Sequence, residues 1–118
     1  MNERDRHNLL FIKEECEYLI EKAERHDIED LLDDRDLQHI VTMALINIGE
    51  TANSLSDEFI RNHQNIEWRG IIGVRNKSAH NYRGLYMNRI WGNVTRDVPE
   101  LLERVEEILR AEEVVEGE

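Results

Sequence analysis

The chain has 118 residues, a net charge of −11, a single cysteine and a single proline. That length fits one domain, residues 1–118, with one modest core. The lone Cys16 rules out an internal disulfide, there is no run of 18 apolar residues, and the charged start Met1-Asn2-Glu3-Arg4-Asp5 lacks an apolar leader segment. A cytoplasmic protein without a membrane span is expected.

The first apolar stripe is Leu9, Ile12, Cys16, Leu19 and Ala23, widened by Ile20, and predicts a helix over about Asp5–Arg25. Cys16 lies on that stripe and reads as a small buried hydrophobe. His26-Asp27 breaks the pattern, Ile28 to Leu32 suits a short helical turn, and Asp36 is the best N-cap candidate for the next helix. That helix carries Leu37, Ile40, Val41, Ala44, Leu45, Ile48, Ala52 and Leu55 on one stripe, with Gly49 inside it. A glycine there costs about 1 kcal/mol against alanine, which points to close approach of another helix. Glu50 falls near the edge of the stripe and would need a cation if buried, with Arg75 an obvious partner.

Ser56 caps a short helix through Arg61, and Asn62-His63-Gln64-Asn65 is a loop. A further helix is predicted over about Ile66–Asn81, with Gly84 as its stop. The last helix carries Met87, Ile90, Trp91, Val94, Val98, Leu101, Val105 and Ile108. Pro99 should kink it or divide it, with Asp97 as a local cap. Beyond about Ala111 the acidic tail is expected to fray. No strand pattern competes, so the fold class is all-α, an up-and-down bundle of four to five helices.

Charge is unevenly spread. From Arg61 to Arg96 there are seven basic residues and one acid, Glu67, so that segment carries +6 and the rest of the chain −17. A local field matters more to a ligand than the total. Within the basic segment lies Arg75-Asn76-Lys77-Ser78-Ala79-His80-Asn81-Tyr82. At about 100° per residue, Arg75 and Tyr82 lie within about 20° of one another, and Asn76 can reach His80 one turn on. Arg75 and His80 differ by about 140° and share an edge only where the helix ends or loosens.

An arginine beside an imidazole suits phosphate chemistry without a metal. A ribose 2′-hydroxyl can attack the adjacent phosphate if one group accepts its proton and another protonates the leaving 5′-oxygen. His80 can serve one of these steps, Arg75 can hold the phosphate and its growing charge, and Asn76 can orient His80. The same residues also suit a buried hydrogen-bond network that ties helices together. The histidines show no ligand spacing, and neither a metal nor a cofactor is expected.

Arg75, four residues, His80, one residue, Tyr82 resembles the RX4HXY signature of HepT-like toxins, in the HEPN superfamily of helical ribonucleases. Ile48-Gly49-Glu50 is similar to that family's glycine-glutamate step, and Ile66 to Gly73 to its lead-in. Trp91 and Pro99 fall where the family has a tryptophan and then a proline. The resemblance covers about Asp36 to Leu109, and the first helix matches only in general character.

The resemblance implies an all-helical, HEPN-like two-fold homodimer with facing motifs and metal-independent RNA cleavage by Arg75 and His80, with Asn76 as polar neighbour. Lys77, Arg83 and Arg69 are then candidates for RNA contact. It further implies a type VII toxin whose antitoxin, an MntA-like nucleotidyltransferase, transfers AMP to Tyr82. Tyr86, one turn on, is a neighbouring phenol. The alternative is a non-catalytic helical partner that presents substrate to that nucleotidyltransferase, a reading that the charge of −11 favours.

Overall fold

The computed structural model describes residues 1–77 and 84–116, and every regular element among them is helical. The first helix, α1 (Glu3–Glu24), starts where the Asn2 side chain accepts the Asp5 N–H at 2.7 Å. Its stripe is fully buried: Leu9, Ile12, Cys16 and Leu19 are each 0% exposed. Burying one such aliphatic side chain contributes about 1.5–3 kcal/mol, so this face fixes α1 between its two main neighbours, α3 (Arg35–Asn53) and α7 (Val98–Glu116). Burial also pushes the Cys16 thiol up to about 12, with Glu15 and Glu17 adding to the effect. The thiol stays neutral at any ordinary pH and behaves as core.

The break at His26-Asp27 leads into α2 (Ile28–Asp33). Asp27 accepts the Asp30 N–H at 2.9 Å, and the Asp30 carboxylate accepts the Asp27 N–H at 3.1 Å. This reciprocal box satisfies two otherwise unpaired donors. The cap of α3 is Asp34 rather than Asp36. Asp34 is extended, ends α2 and starts α3, and its carboxylate accepts the Leu37 N–H at 3.2 Å. Asp36 therefore lies inside the first turn, where its charge meets the positive end of the helix dipole. Along α3, Leu37, Val41, Ala44, Leu45, Ile48 and Ala52 are buried, whereas Ile40 is turned outward. Leu55 is buried just beyond the helix end.

Ser56 caps α4 (Asp57–Asn62), its hydroxyl oxygen accepting the Phe59 N–H at 3.1 Å. The same hydroxyl donates to the Asp5 carboxylate at 2.6 Å, and the Ser56 N–H reaches that carboxylate at 2.9 Å. Asp5 is only 2% exposed. Two donors from the start of α4 thus hold a buried charge at the start of α1, and the hydroxyl relays from carboxylate to backbone.

Next come α5 (Trp68–Lys77) and α6 (Gly84–Gly92). Gly84 is the first residue of α6, and the expected end of the helix before it, residues 78–83, lies outside the described residues. The expected long last helix is divided: a π turn, Asn93–Asp97, separates α6 from α7. Pro99 has no N–H to donate, and its ring crowds the carbonyl four residues back. The backbone widens there, and the Val98 N–H bonds to the Asn93 carbonyl. Asp97 is the last residue of the π turn, directly before α7. The helix α7 runs through Ala111 to Glu116. The molecule is 20 Å through its thinnest dimension, two helix diameters.

Replacing Asp5 by Ala should lower unfolding free energy by about 1.5–3 kcal/mol, the range for losing hydrogen bonds to a charged group. Urea denaturation of Asp5→Ala and of the milder Asp5→Asn checks this. An unchanged midpoint for Asp5→Ala would show that the carboxylate does not hold α4.

Candidate active site

The segment that carries the motif begins on α5, so the seat of α5 decides where the motif lies. Trp68 is that seat. It is 6% exposed, its indole Nε1–H donates to the His63 carbonyl at 2.9 Å, and its ring meets Phe59 edge-on at 5.9 Å. Phe59 in turn lies 4.3 Å from the His63 ring. Such aromatic pairs add about 0.5–1.5 kcal/mol beyond area burial. Ile71 and Ile72 continue the contact as half-buried residues packed on the core, and α5 lies chiefly against α3.

Helical phase then places the motif's first residue. Arg75 is one turn beyond Ile71 and two beyond Trp68, so its backbone position falls on the face that packs inward. Asn76 and Lys77 follow on the same helix. The side chains of Arg75, Asn76 and Lys77 are not among those described, and His80, Tyr82 and Arg83 lie outside the described residues. The pairs Asn76–His80 and Arg75–Tyr82 therefore stand on spacing.

Glu50 is exposed rather than at the edge of the core. Gly49 takes the buried angle on α3, and the next residue turns about 100° away toward solvent. The pairing of Glu50 with Arg75 involves a side chain outside those described. Arg69 is exposed on α5, and Arg61, Arg89 and Arg96 are exposed as well. All four described cations of the basic segment are thus available to an anion. The Arg96 guanidinium folds back over Gly92, 2.9 Å from where a β-carbon would stand, a close approach that only glycine permits without a shift. Tyr86 is half-buried on α6 and packs against the core, as does Trp91. Among the described residues no group of His, Cys, Asp or Glu is arranged to hold a metal ion, and no helix is long and apolar enough to cross a membrane.

Sequence reasoning missed the Phe59–His63–Trp68 cluster, because His63 stood in a loop of polar residues. The aromatic spacing across that loop was the available signal.

The family profile described as "Ribonuclease HepT-like" matches residues 12–108. The chain belongs to this family. The match begins within α1, further toward the N-terminus than the Asp36 start suggested by the motif likeness. Among similar proteins is a candidate RNase of Caldanaerobacter subterraneus, 37% identical over 101 residues, covering 86% of this chain and 90% of that protein. A protein named as a probable ribonuclease HepT from Thermococcus cleftensis is 33% identical over 97 residues, covering 82% and 88%. A candidate RNase of Methanocaldococcus jannaschii is 30% identical over 107 residues, covering 91% and 86%. No solved structure matches the chain.

The seat of α5 carries a pH dependence. Burial lowers the pKa of His63 from 6.5, Glu112 opposing it. The folded state thus binds the proton less well than the unfolded chain. Stability from this group is present above about pH 6.5 and lost as pH falls through the folded value. Urea denaturation from pH 7.5 down to 5 should show a decline that His63→Gln reduces. Identical pH slopes for the two proteins would remove His63 from this role.

Proposed function

We propose that this HepT-like chain is a cytoplasmic endoribonuclease, the toxin of a type VII toxin–antitoxin pair, cleaving RNA without a metal. The observation that carries the reading is the family match, which contains the whole RX4HXY segment from Arg75 to Tyr82. RNA as substrate class follows from the family, and the four exposed arginines of the basic segment support it.

In the proposed reaction the 2′-oxygen bonds to the adjacent phosphorus while the P–O5′ bond breaks. One His80 takes the 2′-hydroxyl proton, and a second His80, across a two-fold homodimer, gives a proton to the leaving 5′-oxygen. Arg75 holds the non-bridging oxygens as charge grows on them. Asn76 orients His80, and Lys77, Arg83 and Arg69 track the flanking phosphates. The products are a 2′,3′-cyclic phosphate end and a 5′-hydroxyl end.

A cognate MntA-like nucleotidyltransferase switches the enzyme off by bonding the Tyr82 phenolic oxygen to the α-phosphorus of ATP, with pyrophosphate leaving. By the seven-residue spacing of Tyr82 from Arg75, the added phosphate takes the anion site and blocks RNA.

Purified protein free of AMP, judged by mass, should cut cellular RNA in EDTA and leave 2′,3′-cyclic phosphate ends. Arg75→Ala and His80→Ala should each lose at least about a hundredfold in rate. Intact RNA after incubation with unmodified wild type would overturn the enzyme and leave the non-catalytic partner subunit.

Incubation with the nucleotidyltransferase and ATP should add whole multiples of AMP mass to wild type and none to Tyr82→Phe. Labelling that persists in Tyr82→Phe would move the modification elsewhere, with Tyr86 the first phenol to test.

A further inference from the structure

One groove on the molecule has a floor and a rim of opposite character. It measures about 320 Å³ and runs between α3, α5 and the junction of the π turn with α7, at the small end of the roughly 300–1,000 Å³ typical of ligand sites. Its floor is apolar: Leu45 and Ile48 from α3, Ile71 from α5, Val98 and Leu101 from α7. Its rim is acidic. Glu67 stands on the α5 side, and Asp97 and Glu100 face it from the π turn and α7, all three exposed. The one guanidinium on the rim, Arg104, is 3.8 Å from the Glu107 carboxylate.

This charge decides what the groove can hold. Three exposed carboxylates lining one narrow groove repel a polyanion and attract a cation. An apolar floor needs apolar side chains to cover it. The floor residues come in three-residue steps on two helices, Leu45 with Ile48 and Val98 with Leu101, a ridged surface into which another helix can pack. We propose that the groove docks an amphipathic helix of a partner protein, apolar on one face and flanked by lysines or arginines. The proposal stands apart from the RNA reading, since an RNA-binding surface would carry the opposite charge. Its consequence touches that reading: the α5 wall continues one turn past Ile71 to Arg75, so an occupant sits beside the motif.

Gly70 gives a second handle on the groove. It lines the α5 wall, and a β-carbon there would meet only the Glu67 side chain, at 3.6 Å. A larger side chain at this position enters the groove without disturbing the core.

The test titrates the isotope-labelled full chain with a synthetic Leu/Lys amphipathic helix and with its Leu/Glu counterpart, following methyl resonances. The Leu/Lys peptide should shift Leu45, Ile48, Ile71, Val98 and Leu101 to saturation, and the Leu/Glu peptide should not. The triple reversal Glu67→Lys, Asp97→Lys, Glu100→Lys should weaken binding about tenfold or more. Gly70→Leu should abolish it without lowering the helical melting midpoint. Four results would overturn the proposal: no saturable shift; shifts centred instead on the methyls of exposed Leu10, Ile40 and Met43; affinity unaffected by the triple reversal; or an oligoribonucleotide saturating the same methyls.

Discussion

The burial of Trp68 is the contact on which the functional end of this molecule depends. The motif begins at Arg75, two helical turns beyond it on the same helix. An indole held by an N–H···O=C bond and an aromatic edge fixes both the position and the rotation of α5. Rotation matters more. A slip of one residue would turn position 75 by about 100° and remove it from the inward face. The cluster in turn rests on α4, and α4 is tied through Ser56 to the buried Asp5 at the start of α1. The seat of α5 is therefore linked to the first helical turn of the chain through the two Ser56–Asp5 bonds, the Trp68–His63 bond and the Phe59 ring.

Charge segregation is the second organising fact. Seven of the fifteen cations but only one of the twenty-six carboxylates lie between Arg61 and Arg96, giving an acidic whole around a basic strip. Electrostatic attraction acts over roughly 8–10 Å at physiological salt, so a phosphate near α5 senses the strip more than the total. The groove beside α5 reverses the sign within a short distance, because Glu67 is the one acid of the basic segment and stands on the groove rim. The two signs thus meet at the start of α5, where Glu67 precedes Trp68 and Arg69 follows it. Two different partners can then be told apart by charge alone.

The all-helical class and the stripes of α1, α3 and α7 were legible in the sequence because burial imposes a period near 3.6 on the apolar residues. Leu9, Ile12, Cys16 and Leu19 are all fully buried, as spaced. The caps were legible in kind but not always in position. In a run of three aspartates and an arginine, only the residue with extended backbone can cap, and that choice depends on where α2 ends. Glu50 was misplaced for a related reason: Gly49 has no side chain to mark the buried angle, so the stripe looked wider than it is. The Asp5–Ser56 bond and the Trp68 seat were hidden because both join residues through loops whose paths no local pattern specifies. The family likeness supplied what spacing could not, an expected role for Tyr82.

The π turn was also partly written in the chain. From Ile90 the buried residues step by four to Val94 and by four again to Val98, then by three to Leu101. In an ideal α-helix two successive steps of four drift by about 80°, which would carry Val98 off the buried face. It is nonetheless 4% exposed, and Val94 is 1%. A wider turn absorbs the drift, closed by the bond from the Val98 N–H to the Asn93 carbonyl five residues back. Pro99 makes that turn cheap, since it could not have supplied the α-helical bond in any case. The widening also turns Asn93 and Asp97 toward the groove. The residue that breaks the last helix thereby keeps its core face in register and sets one carboxylate of the acidic rim.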